Sequence, residues 1–169
     1  EVMLGGRALQ VIVTGGHAFE HASFYDRASK VLIAGDHILP KISPVIAVYE
    51  MVPRADPLGD YLHSFARFDM VADDALVLPS HGLPYIGIRE RIAQLRAHHR
   101  ARLDATVDFL REPHSSVDLT REMFPHVEGP ENIGFALGET LAHVNYLVRR
   151  GVVADISPDA ANALYRVVG

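Results

Sequence analysis

The chain has 169 residues, 49% of them hydrophobic and 22% charged, with a formal net charge of −5, proportions ordinary for a globular protein with a buried core. It contains no cysteine, which excludes a disulfide framework, a thiolate nucleophile and a Cys-ligated zinc, so any metal has to sit on histidine and carboxylate. The negative charge argues against a general nucleic-acid binder, no apolar run reaches the ~20 residues that cross a bilayer, and the absence of a signal peptide predicts a cytoplasmic location.

The sequence opens at Glu1, not at a methionine, and reads as a fragment that starts in a sheet: "EVMLGGRALQVIVTGG" holds two apolar runs with a hairpin turn expected at Gly5-Gly6. Strands are predicted over "ALQVIVT" (8–14), "ASFYD" (22–26) and "KVLIAGD" (30–36). Pro40, Pro44, Pro53 and Pro57 forbid one long helix in the next passage. From Pro57 onward, Leu58, Tyr61, Leu62, Phe65 and Phe68 recur at the spacing of an amphipathic helix. "ALVLPSHGLP" (75–84) then reads as a short buried strand running into a tight turn.

The second half is mostly helical. Ile88, Ile92, Leu95, His99, Leu103, Val107 and Leu110 form one stripe stopped by Pro113, a helix of about 23 residues. A second helix runs from Glu131 to Gly151, with Arg149 and Arg150 in its last turn, where cations suit the helix dipole. "GVVAD" and "ALYRVV" are expected to pair around "ISPDAAN", and a helix followed by a two-stranded wing outlines a winged-helix-like subdomain. The class is α/β or α+β, with a strand-rich part over 1–86 and a helical part over 87–169.

His17, Asp36 and His81 each sit where a predicted strand gives way to a glycine-containing turn. Strand ends on one rim of a sheet bring distant side chains together, and two imidazoles with a carboxylate suit Zn²⁺ or a similar borderline metal. Taken singly, the three are an ordinary turn histidine, turn aspartate and loop histidine. His21, His63, His114 and His126 read as structural or solvated, and so by default does His37, which beside Asp36 has a metal contact as its alternative. His99 lies on the packed stripe, and His143 reads as a hydrogen-bonded core residue. The arginines of the long helix, Arg89, Arg91, Arg96, Arg100, Arg102 and Arg111, form a solvated face or, less simply, a contact for a phosphate-bearing substrate, diluted by Asp104 and Asp108.

In this order and at these separations, "GGHAFEHASFYD", "VLIAGDHILPKISP" and "LVLPSHGLP" resemble the last three metal-ligand motifs of the metallo-β-lactamase superfamily, glyoxalase II-like branch. The resemblance runs from residue 5 to about residue 111, and the tail resembles that of the longer members. It implies His17 as a ligand of a first metal, Asp36 as the bridging and catalytic carboxylate, His81 as a ligand of a second metal, and His21 as a supporting residue. The implied fold is the second half of a four-layer αββα sandwich followed by the winged-helix-like tail. The implied cofactor is a pair of Zn²⁺ ions, with Fe or Mn as alternatives, and the implied reaction is metal-dependent hydrolysis of a small-molecule ester or thioester, of the glutathione or coenzyme A kind.

The family's first motif, H-x-H-x-D-H, has no counterpart in residues 1–16, and His98-His99 lie in a helix beyond the other motifs. The "AFE" of the first turn replaces the commoner connection and brings in Glu20. The chain alone is therefore expected to be inactive, and to pack either as a homo-oligomer or against a complementing N-terminal half. Two other readings stand beside this one. Relatives with such a tail include RNA endonucleases, but residues 87–169 hold 10 Arg or Lys against 11 Asp or Glu, too balanced for a strong nucleic-acid footprint. The last reading is a degenerate, non-catalytic binding module.

Overall fold

The computed structural model describes residues 1–157 and 163–169. Contacts divide the chain into two compact units, residues 1–44 with 60–97, and residues 45–59 with 98–169.

The first unit is built on a five-stranded sheet. β1 (Val2–Leu4) and β2 (Arg7–Thr14) are the arms of the expected hairpin, and Gly5 and Gly6 both take positive φ, 57° and 78°, as a two-residue hairpin turn requires. β3 (His21–Asp26) and β4 (Val31–Gly35) continue antiparallel. The turn between them is fixed by Asp26, whose carboxylate accepts from the N–H groups of Ala28 and Ser29 and pairs with Arg7 at 2.9 Å. The helix expected from Pro57 is α1 (Pro57–Ser64), finished by a 3₁₀ turn over Phe65–Phe68. β5 (Leu76–Pro79) then pairs parallel to β4, giving the order β1-β2-β3-β4-β5.

Alternation along the strands gives this sheet two different faces. Ile12, Thr14, Ser23, Tyr25, Leu32, Ala34 and Val77 are all buried, as are Tyr61, Phe65, Phe68 and Leu95 of the same unit. The opposite face carries Val11, Val13, Phe24, Ile33 and Leu78 in register. It is apolar yet uncovered: Val13 and Ile33 are each 44% exposed and Leu76 39%.

α2 (Ile88–Phe109) passes from the first unit into the second. The second unit continues with β6 (His114–Ser115), α3 (Ser116–Met123), α4 (Pro130–Arg149), β7 (Val153–Asp155) and β8 (Leu164–Val167), its three strands ordered β6-β8-β7. Leu110, Leu119, Val144, Leu147, Val153 and Tyr165 form its core. β7 and β8 pair as expected, while residues 158–162 of the "ISPDAAN" turn lie outside the described residues. β6 adds a third strand to what the sequence suggests as a two-stranded wing.

Gly138 of α4 lies against Ala47 and Val48, where an added Cβ would come within 3.0 Å of both, and Val48 N–H donates to the Gly138 carbonyl at 2.9 Å. This close approach places the Pro-punctuated segment 45–59 with the helices of the second unit. No helix among the described residues is long and apolar enough to cross a membrane.

Candidate functional site

β2, β4 and β5 run in the same direction through the sheet, so their C-terminal ends share one rim. The turn after each supplies one candidate: His17, Asp36 and His81. The structure brings the three together around Asp36. Its Oδ2 lies 3.9 Å from His17 Nε2 and its Oδ1 lies 3.3 Å from His81 Nε2. The Ser80 N–H donates to the Gly35 carbonyl at 3.0 Å, which ties the His81 turn to the Asp36 turn. His81 is the outermost of the three, its side chain 71% exposed against 35% for Asp36.

His21 supports this cluster from beneath. Its Nε2 sits 2.6 Å from where a Cβ on Gly35 would lie, and Gly35 itself has φ 57°, so both space and backbone demand glycine there. The His21 ring is 6.4 Å from His17 and 5.3 Å from His37, centroid to centroid. Burial first, then the neighbouring His17, lowers the His21 pKa, with Asp36 opposing.

His21 Nδ1 is a buried atom with no hydrogen-bond partner, and the buried Asp36 Oδ1 has only the misaligned His81 Nε2 contact at 3.3 Å; an unmet buried polar atom costs about 1–3 kcal/mol. Orphaned polar atoms of this kind, with two further imidazoles at hand, suit a borderline cation in chemistry. Among the described residues, however, no group of three or more His, Asp or Glu is placed to hold a metal ion. His17, Asp36 and His81 thus share a rim without closing around one point.

His37 turns away from Asp36 into the interior. Its Nε2 meets Ser64 Oγ at 2.7 Å and its Nδ1 meets Thr14 Oγ1 at 3.2 Å. Burial, then His21 and His17, holds its pKa down at about 3, so the ring is neutral. The Ser64–His37 contact is no nucleophilic dyad, because both residues are buried and Ser64 Oγ–H is already given to the Tyr61 carbonyl at 2.6 Å. Sequence reasoning does not find Thr14 or Ser64, and it finds Tyr61 only as a packed position of the helix stripe.

The remaining candidates have structural work. His143 Nδ1–H donates to the Glu139 carbonyl at 2.8 Å, leaving its Nε2 to accept from His99 Nδ1 at 3.3 Å. Both rings are fully buried. His114 stacks on Phe109 at 4.3 Å. Most arginines of α2 are engaged: Arg91 by the Leu39 and Ile42 carbonyls, Arg96 over Phe65, Arg102 over Phe124, Arg111 by Asp108 and Arg89 by the Asp69 carbonyl and Asp73. Glu20 is exposed.

Residues 103–166 match the family described as Metallo-beta-lactamase-like, C-terminal domain. The chain is similar to a beta-lactamase domain protein from Burkholderia ambifaria, with a TM-score of 0.92 and 41% identity over 99% of this chain and 50% of that one. It is also similar to a metallo-beta-lactamase family protein from Thermus thermophilus, with a TM-score of 0.85 and 35% identity over 99% of this chain and 52% of that one. The chain spans about half the length of each.

Proposed function

We propose that this chain, which carries a metallo-β-lactamase-like C-terminal domain over residues 103–166, is the second half of a metal-dependent hydrolase of that superfamily acting on an ester or thioester. The observation that supports it is the single rim on which His17 and His81 both face the Asp36 carboxylate, at 3.9 and 3.3 Å. His17, Asp36 and His81 would hold the metal, Zn²⁺ or alternatively Fe or Mn, with Asp36 between the imidazoles. When bound, the metal supplies Lewis-acid polarisation of the carbonyl and the nucleophile that the chain's own side chains lack. The chain's part is to hold its donors ready: Asp36 orients both imidazoles, and the His21 ring fills the floor over Gly35.

The rest of the site would come from a part corresponding to the length of the relatives that this chain does not span. The apolar sheet face at Val13, Ile33 and Leu76 supports this, since it has the character of a surface made to be covered. Covering it with a second sheet gives the four-layer αββα sandwich, with the second unit as the winged-helix-like tail of a glyoxalase II-like member. The engaged arginines of α2 speak against a phosphodiester substrate.

The test is to join this chain to the first half of the 41%-identical relative and to measure Zn²⁺ content and thioester hydrolysis. Activity that requires both halves and is lost in Asp36→Asn, with wild-type folding, is the expected result. A metal-loaded, folded hybrid that turns over thioester equally well with Asp36→Asn would overturn the assignment.

A further inference from the structure

One imidazole ties the site together from behind. Because Ser64 Oγ–H is given to the Tyr61 carbonyl, its oxygen can only accept at the 2.7 Å contact with His37. The ring hydrogen is therefore on Nε2, and Nδ1 is a lone pair facing Thr14 Oγ1. Thr14 ends β2, just ahead of the His17 turn. The same His37 accepts at its carbonyl from Tyr61 O–H at 3.0 Å, donates its N–H to the Ala34 carbonyl at 3.3 Å, and stacks on Phe68 at 5.7 Å. Asp36 sits between this fixed residue and Gly35, which is itself held by Ser80.

Neither hydroxyl depends on the imidazole. Ser64 already has the Tyr61 carbonyl, and Thr14 has the His21 carbonyl at 3.3 Å as an alternative acceptor. A phenyl ring would suit the aromatic surroundings of Tyr61, Phe65 and Phe68 without the cost of burying ring nitrogens. The two directional bonds therefore serve placement, not cohesion.

We propose that His37 is a positioning residue: its Nε2–H imidazole fixes the end of β2 against the end of β4, and so aims the Asp36 carboxylate at His17 and His81. This rests on the reading of Asp36 as a metal-binding carboxylate.

The experiment is NMR on the ¹⁵N,¹³C-labelled chain with Co²⁺ as the probe, comparing wild type with His37→Phe, His37→Gln, Thr14→Val and Leu119→Ala. In the wild type, His37 should carry a slowly exchanging hydrogen on Nε2, and Co²⁺ should broaden the His17 and His81 ring signals first. His37→Phe should need about ten-fold more Co²⁺ for the same broadening, the scale seen when support behind a ligand is removed. His37→Gln, whose amide offers one donor and one acceptor, should recover most of the loss, and Thr14→Val should shift the titration the same way as His37→Phe. Leu119→Ala, which loosens only the core of the other unit, should leave it unchanged. The proposal is overturned by a His37→Phe titration equal to wild type, by His37→Gln failing as fully as Phe, or by Leu119→Ala falling as far. If His37→Phe does not fold, Thr14→Val decides by the same criterion. If the wild-type chain alone takes up no Co²⁺, its donors need the complementing half, and His37 is judged on the Asp36 carboxyl shift. That shift should move in His37→Phe and return in His37→Gln, and no movement overturns the proposal.

Discussion

In the interior of the second unit, His99 Nδ1 and His143 Nε2 meet at 3.3 Å. Burial first, with neighbouring positive groups, pushes His99 down to about 3 and His143 down to about 4, the Glu139 carbonyl opposing at His143. His98 and Arg102 add to the lowering at both, and the half-buried Glu139 has its own pKa raised by desolvation. A histidine depressed in the folded state binds protons more readily when unfolded, so stability rises with pH up to the unfolded value near 6.5 and falls below it. Between pH 6.5 and pH 5 each ring should cost about 2 kcal/mol. Urea unfolding at pH 7 and pH 5 should record this loss together with that of the similarly depressed His37, and His143→Gln should remove about a third of it. A stability flat from pH 7 to pH 5 would count against the neutral pair.

Gly35→Ala tests the floor of the site. A methyl group there meets His21 Nε2 at 2.6 Å in a backbone with φ 57°, at a cost of about 1–2 kcal/mol for the left-handed conformation alone. The expected outcome is a Tm several degrees lower together with a displaced His21 ring signal. Gly87→Ala, also at positive φ but with open space around it, should lower the Tm without moving His21.

The uncovered sheet face predicts association. Val13, Ile33 and Leu76 forfeit about 1.5–3 kcal/mol apiece if left fully in water. Sedimentation at micromolar concentration should find the chain paired with a second copy or with an added first half, and Val13→Lys with Ile33→Glu should shift it toward monomer. A wild-type chain that stays monomeric, both alone and with a first half present, would refute the covered-face reading.

The isolated chain should take up Zn²⁺ weakly or not at all and should not turn over esters or thioesters at a useful rate, since on the proposed reading its donors are only part of a site. Calorimetric titration and a thioester assay check this. Robust turnover by the purified chain with no other polypeptide would show that it completes its own site.

The sequence carried the sheet plainly, because β2 and β4 are β-branched runs, β3 carries the aromatic pair Phe24 and Tyr25, β5 is a short apolar run, and Gly, Asp and Pro mark the turns between them. α2 and α4 were equally legible from periodicity and from the stops at Gly151 and Pro113. α3 was not: it is only one short helix, announced by the Ser115–Asp118 capping box, in which Asp118 N–H donates to Ser115 Oγ at 3.1 Å. At the site, strand ends predicted which turns meet, because direction in a sheet follows from order. The partners of His37 were illegible, since Thr14 and Ser64 reach it only through folding. The attachment of 45–59 to α4 was hidden for a similar reason, because it rests on a glycine's missing side chain.

Neither unit is continuous in the chain, and during vectorial synthesis this imposes an order of events. All residues of the first unit have been made once Ala97 has left the ribosome. Val48, already exported by then, still lacks Gly138, the residue whose carbonyl it binds. At ~5–20 residues per second that partner arrives several seconds later. For that interval the segment 45–59 waits as a tethered strap with its apolar residues Ile46, Ala47 and Val48 uncovered. A nascent chain stalled between residues 97 and 138 should therefore be cut within 45–59 by a protease that spares the finished protein.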